Sequence, residues 1–149
     1  MSTTNTQNYL YVGSLITSVV GAAALILADF AGWDASNYYT GVQESGVLDV
    51  SLENLLVAPL FLAAAFLLLF CSYISVLGLR ESIEDTYLQF GIFASIISIA
   101  IQAAIALLFI IIVLLEDIWW WFDFGFFGGV IGAMLTLIFL YLGLKESSS

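Results

Sequence analysis

Residues 87–115 read YLQFGIFASIISIAIQAAIALLFIIIVLL, an apolar stretch without a single charged side chain. A helix crossing a bilayer needs about 20 such residues, so this segment is long enough to span. Lipid offers no partner to an unpaired backbone N–H or C=O, and a helix satisfies those groups within itself. A membrane β-barrel would alternate apolar and polar residues over short segments, and this stretch does not alternate. Residues 87–115 therefore predict a transmembrane helix.

Three further runs have the same character. They cover residues 9–28, 55–79 and 124–144, and they stop at Asp29, Arg80 and Lys145. The third-run stretch itself stops at Glu116 and Asp117. The chain of 149 residues is 62% apolar and 9% charged. A soluble domain is about 25% charged, and four spans use about 80 residues, which leaves no room for a separate soluble domain. The prediction is an all-α integral membrane protein, with residues 1–149 forming one four-helix membrane domain. The first run is long for a signal sequence and has no Lys or Arg before it, so it is expected to be retained.

The net charge of −10, from twelve acids against two bases, argues against nucleic acid as a partner and against a polybasic membrane patch. The absence of His excludes His-ligated haem, zinc or copper and a His general base. Cys71 is alone, can form no internal disulfide, and reads as a small apolar filler. No Gly-rich phosphate loop follows a strand. No cofactor and no metal site are expected, and the chain reads as non-enzymatic.

Orientation rests on the two bases. Arg80 follows the second run and Lys145 the fourth, so both share a side with the N-terminus. The positive-inside rule assigns that side to the cytoplasm. Eight of the twelve acids then lie outside: Asp29, Asp34, Glu44, Asp49, Glu53, Glu116, Asp117 and Asp123. Trp33, Trp119, Trp120 and Trp121 also fall on that side, as interface anchors with an apolar body and a polar tip. The cytoplasmic or plasma membrane is the expected location.

A repeat is the most informative pattern. Tyr9-Leu10-x-x-Gly13 opens the first run and Tyr87-Leu88-x-x-Gly91 the third. Leu77-Gly78-Leu79-Arg80-Glu81-Ser82 closes the second, and Leu142-Gly143-Leu144-Lys145-Glu146-Ser147 the fourth. These matches predict two tandem helical hairpins, residues 9–82 and 87–147. A two-span repeat keeps its orientation, so the copies should be parallel and related by a pseudo-twofold axis near the membrane normal. The loops on the outer side differ most between the copies.

Small residues mark packing seams in lipid. Gly13, Thr17 and Gly21 form one stripe, Ala94, Ser98, Gln102 and Ala106 another, and Gly125/Gly129 with Gly128/Gly132 give overlapping GxxxG pairs. Gln102 is the one amide deep in a span, so it should face the bundle or a partner subunit. Pro59 falls early in the second span, preceded by capping candidates in residues 49–54. No span carries a mid-membrane carboxylate, unlike the proteolipid subunits of rotary ATPases and the small multidrug exporters. Four spans with a longer first outer loop resemble claudin-like tetraspans in topology alone, since their paired loop cysteines are missing.

The function expected from these features is a structural, scaffold or accessory membrane subunit. It would contact lipid and other membrane proteins or further copies of itself. The alternative is a small oligomeric cation channel with Asp29, Glu116, Asp117 and Asp123 at its outer mouth and Gln102 in its path.

Overall fold

The computed structural model describes residues 3–34, 42–47, 54–80 and 83–147. Four helices dominate the described residues: α1 (Thr3–Leu27), α2 (Asn54–Arg80), α3 (Asp85–Leu115) and α4 (Phe124–Ser147). All four are long and apolar enough to cross a membrane. Each helix packs against the helices before and after it, and α1 closes the ring on α4. The predicted helices are therefore present, with ends that extend past the apolar runs by a few polar residues.

Among the described residues, three short strands add to the predicted helices: β1 (Ala31–Asp34), β2 (Val42–Ser45) and β3 (Trp119–Phe122). They form an antiparallel sheet in the order β2-β1-β3. This small sheet is an addition to the all-α architecture that the sequence did not predict. Four-residue strands are too short to show a polarity alternation, and the β1–β3 pairing joins segments far apart in sequence. The two loops read as separate are thus tied together, with Trp33 opposite Trp120 and Ala31 opposite Phe122.

The core has two layers. Near the sheet, Leu25, Phe30, Phe61, Ala64, Leu68, Ile105 and Ala133 are buried together. At the other end, Tyr11, Cys71, Ile74, Leu88, Ala94 and Leu140 form a second cluster. Arg80 and Lys145 lie in the last turns of α2 and α4, at that second end. Acidic Asp49, Glu53 and Glu81, Ser82, and the residue 49–53 capping candidates lie outside the described residues.

Candidate functional site

The small-residue stripes are used inside the bundle. The ring of Phe139 lies 3.0 Å from where a Cβ on Gly13 would stand, and a Cβ on Gly132 would sit 2.7 Å from Gly21 Cα. Between them the Thr17 and Thr136 hydroxyls hydrogen-bond at 2.9 Å. Gly13, Thr17 and Gly21 therefore form the α1–α4 seam. Gly125 packs beneath the Asp29 carbonyl, which accepts its N–H at 2.9 Å.

The α3 stripe is equally internal. Ala94, Ser98, Gln102 and Ala106 are all buried. Ser98 donates to the Ala64 carbonyl at 3.0 Å, and Gln102 Nε2 donates to Ser98 Oγ at 3.3 Å. This chain of bonds fixes α3 to α2. Gln102 is 0% exposed, and its Oε1 has no conventional hydrogen-bond partner among the described residues. A Cβ on Gly129 would stand 2.5 Å from that oxygen. The glycine backbone of α4 thus approaches the amide closely, and a side chain at 129 would displace it.

Several polar side chains that the sequence reading passed over complete this network. Ser75 Oγ donates to Ser14 Oγ at 2.8 Å, and Ser18 and Ser72 meet at 2.8 Å, so two hydroxyl pairs join α1 to α2. Cys71 Sγ and Ser95 Oγ lie 3.4 Å apart between α2 and α3. Most of these hydroxyls also bond a carbonyl three or four residues back on their own helix, so they read locally as ordinary helix residues. Their i, i+3 and i, i+4 spacing was the available signal. Gly78 and Gly143, noticed only as repeat residues, both pack against the Tyr11 ring.

The sheet end holds the aromatic and acidic candidates. Trp33, Trp120 and Phe122 share the sheet face that covers Phe109 of α3, with ring centroids 5.8, 5.8 and 6.0 Å away. Phe122 stacks on Phe126 at 4.1 Å. Trp119 and Trp121 project from the opposite face, 5.9 Å apart, and Trp119 is 76% exposed. Gly32 is required beneath Trp121: a Cβ there would stand 2.5 Å from the indole. The four tryptophans are therefore divided between packing and exposure.

Two of the four candidate acids have clear local work. Asp123 caps α4, its Oδ1 accepting the Phe124 N–H at 2.7 Å. Asp117 adopts φ 53° just after α3, and the Ile118 N–H closes back on the Val113 carbonyl at 3.1 Å. That is a Schellman-type helix end with Asp in the position usually held by Gly. Glu116 is the C-cap of α3, and Asp29 sits at the junction of α1 and β1. Among the described residues, no group of three Asp, Glu or Cys side chains could hold a metal ion.

No family model matches this chain, and no curated protein or solved structure matches it.

Proposed function

We propose that this chain is a non-enzymatic, four-span accessory or scaffold subunit of a membrane, most simply the cytoplasmic membrane, with both termini on the cytoplasmic side. The observation that carries this reading is the internal use of the polar and small residues. Thr17, Ser98, Gln102, Thr136 and the interfacial glycines join the chain's own helices. Contacts with other proteins then fall to the apolar exterior and to the sheet end, where acids and exposed Trp119 lie. The paired bases Arg80 and Lys145 support the orientation.

Equivalent contacts in the two halves support the parallel pseudo-twofold arrangement of hairpins 9–82 and 87–147. The opening motif aligns Gly13 with Gly91 and Thr17 with Ser95; the closing motif aligns Ile74 with Phe139 and Cys71 with Thr136. Gly13 packs on Phe139, and Gly91 packs on Ile74 as well as on Leu140. Thr17 bonds Thr136, and Ser95 pairs with Cys71. One set joins α1 to α4 and the other joins α3 to α2, as a twofold relation requires.

The accessory reading is tested by extraction from native membrane in mild detergent followed by native mass measurement. A mass above that of the 16.2 kDa chain, accounted for by defined protein partners, is expected. A strictly monomeric chain would defeat it.

A further inference from the structure

The third helix is too long for the bundle it belongs to. At a rise of 1.5 Å per residue, the apolar runs 9–28 and 124–144 each cover about 30 Å, the thickness of a bilayer's hydrocarbon, and the run 55–79 covers about 38 Å. The run 87–115 covers about 43 Å by the same measure. Its start is level with that of α1, since Tyr11 and Leu88 share one core layer. The excess therefore lies at the sheet end. Ile105 and Ala106 are still level with Leu25 and Phe30, whereas Phe109 is already beside the sheet.

The last turns of α3 thus rise past α1 and α4, whose apolar runs are shorter. The sheet covers Phe109, and Val113 is buried at 3% exposure, but Leu107, Leu108, Ile111, Ile112, Leu114 and Leu115 on the other side of the helix are exposed, Leu115 at 80%. Tilting cannot bring this tip into the hydrocarbon without displacing α1 and α4, whose runs already match it. An apolar surface at headgroup level calls for a protein cover.

Charge selects the kind of protein. Glu116 and Asp117 follow the tip directly, and Asp34, Glu44, Asp29 and Asp123 are at the same end. Both bases of the whole chain, Arg80 and Lys145, are at the opposite end. A second copy docked tip to tip would bring acids together with no base between them. We propose that the exposed side of Leu107–Leu115, opposite Phe109 and Val113, forms with Glu116 and Asp117 the docking surface for a different membrane protein, one presenting an apolar helix face bordered by Lys or Arg at the same membrane surface. This rests on the accessory-subunit reading and names its contact.

The test uses the full chain in phosphatidylcholine vesicles and two synthetic single-span peptides. Both have one Leu/Ala core and dansyl at each end, and one has three Lys at each end where the other has three Glu. All four tryptophans are at the sheet end, so Trp-to-dansyl energy transfer reports docking there. Transfer should half-saturate at a peptide-to-lipid ratio at least fivefold lower for the Lys peptide. The double variant E116Q/D117N should shrink that preference below twofold, and E84Q at the opposite end should leave it unchanged. L108S/I112S, at exposed positions, should weaken docking of both peptides.

Equal saturation by the two peptides, or a preference that E116Q/D117N leaves intact, overturns the proposal. So does a dimer of the chain alone that L108S/I112S dissociates, because the second copy would then be the occupant. A monomeric native extract would defeat the accessory reading itself. A native partner that L108S/I112S still binds with full strength would defeat only this surface.

Discussion

At the residue scale, glycine and Asp117 give the sharpest tests. Gly132 allows α4 to reach the α1 backbone, where a Cβ would meet Gly21 Cα at 2.7 Å and the Thr17 carbonyl at 2.9 Å. Backbone cannot yield as a flexible side chain can. Gly132→Ala should destabilise the bundle by about 1–3 kcal/mol, the range for overpacking, as read by denaturing-detergent titration. Gly143→Ala meets the edge of the Tyr11 ring at 3.2 Å and should cost less in the same titration. Asp117 holds a left-handed conformation that Gly adopts without steric cost. Asp117→Gly should be neutral or stabilising by up to about 1 kcal/mol in that titration. A clear loss of stability would show that its carboxylate contributes more to the fold than a helix end requires.

At the element scale, the hydroxyl pairs act as clasps between helices that lipid alone would not drive together. Interhelical hydrogen bonds in membranes average about 0.6 kcal/mol. A double-mutant cycle with Thr17→Val and Thr136→Val should give a coupling of that size, and zero coupling would remove the clasp. The sheet offers a second check. Gly32→Val would drive the Trp121 indole off β1, so its fluorescence should shift to the red as the ring enters water. An unchanged spectrum would mean that the ring does not lie there.

Much of this level was legible in the sequence. Uninterrupted apolar runs specify helices wherever water is excluded, and Gly13, Thr17 and Gly21 declared their seam by spacing. What no spacing could reveal was which helix each seam would meet. The glycines at 125, 128, 129 and 132 form one pattern in sequence, yet in the fold they face different neighbours: Asp29, Ala24, Gln102 and Gly21. The sheet was hidden for another reason. Trp119–Phe122 has the β-propensity of an aromatic run, but its partner strand lies beyond two helices, and a run of tryptophans equally suits a membrane interface.

At the scale of the whole molecule, the distribution of charge and the unequal helix lengths belong together. The bases sit where α2 and α4 end; the sheet, the tryptophans and the protruding α3 tip occupy the other end. This polarity is the central claim, because orientation and partner surface both depend on it. Its most direct test is labelling of single-cysteine variants in sealed, right-side-out vesicles with a membrane-impermeant maleimide. The native Cys71 is buried and should stay silent. Glu116→Cys should react in intact vesicles, and Glu146→Cys only after the membrane is opened. Labelling of both positions from the same side would contradict the account.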